Sequence, residues 1–262
     1  MVGLALPFSI ADSVAFPMPV VRQLGQREPA RHPKPAHVGS ERRAGKVCHI
    51  ERSVHFTEPT TFYFDVGSPY AYLAAERLER VLQGDLTWLP VSLGALFKLT
   101  GRSSWALGDY RRRQAGMAEI ERRARDYGLP PLRWPDPWPS HYLLAMRATT
   151  VAFRAGVGKR FALEAFRLAF TEGRDLALPT NVREAARRAG LDADRLEADA
   201  TDPTVKLALR EATDAAHARG VFGVPTLAVD GALFWGDDRL DDAAEKALGG
   251  NALRAYKLSP PA

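Results

Sequence analysis

The sequence predicts an α/β protein in which a small sheet-and-helix domain is interrupted by a large all-helical insertion. Three observations predict it. A β-prone aromatic run at residues 62–66 breaks at Gly67 and passes through Ser68-Pro69 into a helical period. A second buried run, LTWLPV at 86–91, follows at the spacing of a right-handed parallel crossover. After a long helical stretch, β-prone residues 226–229 and 232–234 flank Asp230-Gly231, a strong two-residue hairpin signal.

Residues 1–58 carry scattered prolines, histidines and charges without a sustained period. They read as an extension outside the fold, disordered or translated from a start codon placed too far upstream; a targeting or partner-binding arm is the alternative. The first 21 residues are apolar but lack a basic opening and contain Asp12, so they match a secretory signal poorly.

The fold is expected to begin at 59. In TTFYFDVGSPYAY, residues 60–72, the serine stands where a strand hands over to a helix. Unpaired backbone N–H groups and the positive dipole end favour an anion there, and the Ser68 hydroxyl adds a donor. The plain alternative is an ordinary N-cap followed by Pro69 in the first turn. Tyr70, Leu73, Ala74, Leu78, Val81 and Leu82 then recur on one helical face, with Gly84 as the stop.

Residues 92–200 read as the helical insertion. Asp109 caps a run to Gly128, 130–139 is a proline-rich rigid linker, and helices at 142–155, 157–171 and 181–189 follow. The last is read with Asn181 as cap and Glu184 three residues on. A helical block of this length between strands is expected to form a second domain in cis, leaving the sheet domain discontinuous at 59–91 and 201–250, with 251–262 as a tail. Lys98, Arg102 and the run Arg111, Arg112 and Arg113 are candidates for holding a carboxylate, the run reading more readily as the coat of a surface helix. Trp134 and Trp138 sit among prolines, as an aromatic wall for an apolar substrate or as packing.

An amphipathic helix at 204–219, opened by Pro203, leads into GVFGVPTLAVDG, 220–231. Pro225 cannot donate to a ladder and must stand at the strand entrance; a cis Val224-Pro225 bond would fit, and would expose the Val224 backbone to a ligand. FWGDDRL opens a final helix at 238–248, where Asp237 and Asp238 are either caps or partners for a ligand's ammonium group.

Composition closes several routes. With 46% hydrophobic and 26% charged residues the chain is of ordinary globular type, and no apolar run is long enough to cross a bilayer. The net charge of +5 comes from basic residues interleaved with acids, so neither nucleic acid nor membrane is an expected partner. The single cysteine, Cys48, lies before the fold, which excludes a disulfide framework, a zinc cluster and a dithiol redox pair built from the chain. Four of the six histidines also precede residue 59, leaving His141 and His217, and no G-x-S-x-G turn presents a serine nucleophile.

The order of elements resembles the thioredoxin-like fold in its DsbA-type arrangement. YFDVGSPYAY, PVSLGALFKLTG, the WP…AMRA run, GVFGVPTLAVDG and FWGDDRL are together similar to the family of 2-hydroxychromene-2-carboxylate isomerases and kappa-class glutathione transferases, over residues 60–248. The resemblance implies that glutathione supplies the sulfur and that Ser68 donates a hydrogen bond to it. It implies that Val224, before Pro225, pairs with the tripeptide backbone, that Asp238 with Asp237 beside it holds the γ-glutamyl end, and that Lys98 lies near the sulfur or the substrate. The implied activity is a cytoplasmic, glutathione-dependent isomerisation of a small aromatic carboxylate in aromatic catabolism. A kappa-like transferase or peroxidase, or a non-catalytic binding protein on the same fold, stays open, as does a homodimer. The chain departs from the family's pattern at Arg102 and at Ser140-His141, where asparagines are common. Arg102 would then hold a carboxylate, and His141 is either a base or a capping and packing residue.

Overall fold

A computed structural model of the chain describes residues 59–82 and 84–249. The expectations for 1–58 and 251–262 lie outside the described residues. Four strands form one mixed sheet in the order β2-β1-β3-β4: β1 Thr60–Phe64, β2 Leu86–Pro90, β3 Thr226–Val229 and β4 Ala232–Trp235. The expected parallel crossover is present, with β2 beside β1 and Phe62 opposite Trp88. The hairpin closes antiparallel on the other side of β1, with Phe62 opposite Leu227. Asp230 and Gly231 both have positive φ, 47° and 77°, as the tight turn between β3 and β4 demands.

Strand alternation gives β1 two buried faces. Phe62 and Phe64 point to one side, where Trp88 meets them edge-on at 4.9 and 5.5 Å and Phe166 lies 6.0 Å from Phe64. Tyr63 points to the other and packs with Val91, Leu96, Ala216, Val221 and Val224. Truncating a buried Phe of this kind costs about 3–5 kcal/mol.

The first helical stretch is two pieces, α1 Pro69–Ala75 and α2 Leu78–Val81, where the sequence pattern suggests one run. The break is at Arg77: its N–H donates to Ala74 O at 2.9 Å, tightening the turn. Its side chain turns inward, donating to Asp237 O at 2.9 Å and lying over the Tyr127 ring. The insertion supplies α3 Leu93–Thr100, α4 Tyr110–Asp126, α5 Leu143–Arg154, α6 Gly158–Phe170, α7 Pro179–Ala189 and α8 Leu196–Thr201; α9 Pro203–Ala218 and α10 Leu240–Ala247 complete the fold. Met146, Phe161, Phe166, Phe170 and Val182 of the insertion share one apolar cluster with Phe62 and Phe64. Helices α5, α6 and α7 thus close directly over one face of the sheet, while α3 packs through Leu96 on the other.

Asp109 caps α4 as expected, accepting from Arg112 N at 2.9 Å. Asn181 does not cap α7. That helix begins at Pro179, and Asn181 is buried in its first turn, donating to Asp175 O at 2.7 Å and accepting from Arg174 Nε at 3.0 Å. Residues 237–239 form a 3-10 turn ahead of α10, so the final helix starts later than its aspartates suggest. No helix among the described residues is long and apolar enough to cross a membrane.

Candidate active site

Where β1 ends, the chain turns through Asp65, Val66 and Gly67 into Ser68. Ser68 has extended backbone (φ −94°, ψ 114°) and caps α1, its Oγ accepting from Ala71 N at 3.2 Å. Its N–H donates to Asp65 O, and its carbonyl takes Tyr72 N. Pro69 has no N–H, so the donors left at this helix start are the Tyr70 amide and the Ser68 hydroxyl proton. That is fewer than a bare helix end offers, and it makes the hydroxyl the principal donor.

The turn is held by contacts from three elements. Gly67 lies under the ring of Tyr142, where an added Cβ would sit 2.2 Å from Cδ2; only glycine permits this approach. Val66 N donates to Met146 Sδ of α5 at 3.2 Å. Asp65, 6% exposed, accepts from Gly67 N and from Leu93 N at the start of α3, both at 2.8 Å. Burial pushes its carboxyl up to about 6 against the pull of those two amides. The Asp65 carboxylate therefore ties the Ser68 turn to the helix that carries Lys98.

Ser68 opens onto a cavity of about 790 Å³, a volume ample for a ligand of drug size. Lys98, Arg102, Trp138, His141 and Val224 also line it, so the structure brings six of the expected residues to one cavity. The Val224-Pro225 peptide is cis, and the Val224 N–H and C=O carry no hydrogen bond among the described residues. Pro225 lies behind Val224, its carbonyl accepting from Gly236 N. Arg102 stacks its guanidinium 4.2 Å from the Phe222 ring centroid. Ser140 also lines the cavity, with its hydroxyl engaged 3.1 Å from the Asp175 carboxylate. His141 is exposed on the cavity rim, a position that argues against core packing.

Besides Pro225, the expected residues Trp134, Asp237 and Asp238 stand off the cavity lining. Trp134 donates from Nε1 to Glu121 at 2.8 Å and packs on Trp138 and Phe170, which makes it support for the aromatic wall; Trp138 and Trp105 line the cavity instead. Asp237 is 1% exposed, its carboxylate taken by Arg123 Nη1 and Tyr127 OH, each at 2.9 Å. Burial pushes the Asp237 carboxyl up, against the pull of the Arg123 guanidinium and the Tyr127 hydroxyl. Asp237 anchors α4 to the chain before α10 and has no free oxygen facing a ligand. Asp238 is exposed, with Arg123 3.5 Å from its carboxylate, and does not line the cavity. Arg111, Arg112 and Arg113 are also absent from the wall.

Sequence reasoning did not find Asp65, Tyr142, Trp105, Phe222, Trp235, Arg147, Lys206 or Arg210, all of which line the cavity. A carboxylate three residues before a helix-capping serine was the visible signal for Asp65. The cations of α5 and α9 are legible only once those helices share a wall. No cluster of three or more metal-ligating side chains occurs among the described residues.

A family model for the DsbA-like thioredoxin domain matches residues 60–247. A 2-hydroxychromene-2-carboxylate isomerase from Sphingobium xenophagum is 28% identical over 198 residues, 71% of this chain and 95% of the relative. Human glutathione S-transferase kappa 1 is 28% identical over 197 residues, 68% of this chain and 86% of the relative. The solved structure of a 2-hydroxychromene-2-carboxylate isomerase superposes with a TM-score of 0.62 at 24% identity, covering 77% of this chain and 99% of that one, a likeness of fold. With the mixed sheet, the helical insertion and the proline-preceded β3 in place, the chain belongs to the DsbA-like thioredoxin domain family.

Proposed function

We propose that this protein is a glutathione-dependent isomerase acting on a small aromatic carboxylate of the 2-hydroxychromene-2-carboxylate type. The observation that carries the proposal is that a free Ser68 hydroxyl proton and the unpartnered Val224 backbone line one cavity, in a chain whose single cysteine, Cys48, precedes the fold. Those groups fit a cysteinyl tripeptide: an extended peptide pairs with a free backbone N–H and C=O, and a hydroxyl donor favours a thiolate. When bound, glutathione supplies a nucleophilic sulfur that adds reversibly to a conjugated carbon and is returned, with no net redox change.

The chain's own residues bind and polarise. Ser68 donates from Oγ–H to the anion and is not itself a nucleophile. Val224 aligns the peptide, and Asp238, exposed beside Arg123, remains the acceptor proposed for the γ-glutamyl ammonium. Lys98 and Arg102 supply positive charge for a carboxylate, and Trp105 with Trp138 gives a flat apolar surface for the ring. Asp237 acts only indirectly, by fixing Arg123. A cytoplasmic setting, where glutathione is reduced, suits this chemistry.

The kappa-class relative favours a second reading, glutathione conjugation, on the same residues. Thermal unfolding with millimolar glutathione, followed by assays of chromene carboxylate turnover and of conjugation to an electrophilic arene, separates the readings. The isomerase proposal expects a raised Tm and turnover without glutathione consumption. No Tm shift would leave a fold without the chemistry, and consumption of glutathione would favour the transferase.

A further inference from the structure

The cavity holds more positive charge than the proposed residues use. Arg147 of α5 and Lys206 and Arg210 of α9 line it, and none of the three side chains makes a hydrogen bond or ion pair among the described residues. Lys206, Leu209, Arg210, Thr213 and Asp214 occupy one face of α9 at helical spacing, and all five are on the cavity wall. This face is fixed to the Ser68 side of the cavity through consecutive amides. Ser92 N donates to Thr213 Oγ1 at 3.0 Å, and the next amide, Leu93 N, donates to Asp65. From Thr213, Arg210 lies about 4–5 Å and Lys206 about 10 Å further along the helix axis. Arg210 therefore lies about one turn, and Lys206 about two turns, from the anchor of the Ser68 turn, in a cavity that Leu143 and Leu209 also line.

Among the described residues, Asp214 is the one acid beside them on the α9 face of the cavity. Asp65, the other acid of the cavity, has both oxygens taken by backbone amides. Three cations against those two carboxylates leave one positive charge uncompensated, which one further carboxylate on the substrate would match.

We infer that Arg147, Lys206 and Arg210 form an anion subsite distinct from the glutathione groups, and that the aromatic substrate carries a second carboxylate there, beside the one proposed for Lys98 and Arg102. This rests on the proposed glutathione reading for the position of the reacting atom. The anion recognition itself does not depend on it. Guanidinium groups pair carboxylates through parallel N–H donors, so Arg147 or Arg210 can take that second carboxylate.

The test is calorimetric titration of the full chain with naphthalene-2,3-dicarboxylate and with 2-naphthoate, alone and in the presence of S-methylglutathione. The dicarboxylate should bind at least tenfold more tightly than the monocarboxylate, an advantage that falls as salt is added. Combining Arg147→Gln with Arg210→Gln should bring the ratio close to one while leaving S-methylglutathione affinity within about twofold. Combining Arg111→Gln with Arg112→Gln removes the same charge away from the cavity and should leave the ratio unchanged. Equal binding of the two probes, or a preference that survives loss of Arg147 and Arg210, would overturn the inference. So would an equal loss of S-methylglutathione affinity, which would place these arginines in the glutathione site. If S-methylglutathione fails to bind wild type while the dicarboxylate preference holds, the glutathione reading falls and the subsite stands.

Discussion

Replacing Asp65 by Asn probes the joint between the Ser68 turn and α3, and its effect must change with pH. The carboxyl is raised from 3.8 to about 6 by burial. A folded-state pKa above the unfolded one means that the folded protein holds the proton more tightly. The resulting stability is fully present below about pH 3.8 and is lost as pH rises through 6. The shift corresponds to roughly 3 kcal/mol in all, of which about 2 kcal/mol disappears between pH 4.5 and 7.5. Asparagine has no such dependence. Its single amide oxygen can accept from only one of Gly67 N and Leu93 N, and its NH₂ faces the other, a penalty of about 1–3 kcal/mol at every pH. Urea unfolding of both full-length proteins, compared pH by pH, cancels the contribution of every other group. Asp65→Asn should be the less stable at pH 4.5, and the gap should narrow by about 2 kcal/mol by pH 7.5. A gap that stays constant would refute the assignment of a buried, proton-holding carboxyl at this joint.

Three further outcomes follow from the same geometry. Gly67→Ala should lose about 1–3 kcal/mol in urea unfolding, because the new methyl meets the Tyr142 ring at 2.2 Å and the turn must shift. Arg123→Met should lose about 3 kcal/mol, since it leaves the Asp237 carboxylate buried without its cation; combining it with Asp237→Asn should recover much of that loss, a cycle readable by urea unfolding. Ser68→Ala should lower chromene carboxylate turnover at neutral pH at least tenfold with a far-ultraviolet dichroism spectrum like wild type, and equal rates would make Ser68 a helix cap and no more.

Local signals carried most of what could be read without the structure. The strand-to-helix turn at Gly67-Ser68-Pro69, the hairpin at Asp230-Gly231 and the proline at the entrance of β3 each declare themselves within a few residues, because backbone conformation there is set by the residues themselves. Asn181 misled for an equally local reason. It matches a capping pattern, but Pro179 had already started the helix and the asparagine's amide served Asp175 and Arg174. Other roles depend on what a side chain meets from afar. Trp134 reads as a substrate wall until Glu121 takes its N–H, and Asp237 reads as a ligand partner until Arg123 and Tyr127 take its oxygens. The cations at 147, 206 and 210 have no sequence signal as a group, since α5 and α9 come together only in the fold.

The most direct measurement is the thiol pKa of glutathione bound to the wild-type protein and to Ser68→Ala, followed by the ultraviolet absorbance of the thiolate. If the Ser68 hydroxyl donates to sulfur, the wild-type value lies at least about one unit below the free thiol's value of roughly 8.5, and the alanine variant returns it most of the way. A thiol that titrates alike in both proteins would contradict the role given to Ser68 and, with it, the borrowed-sulfur chemistry.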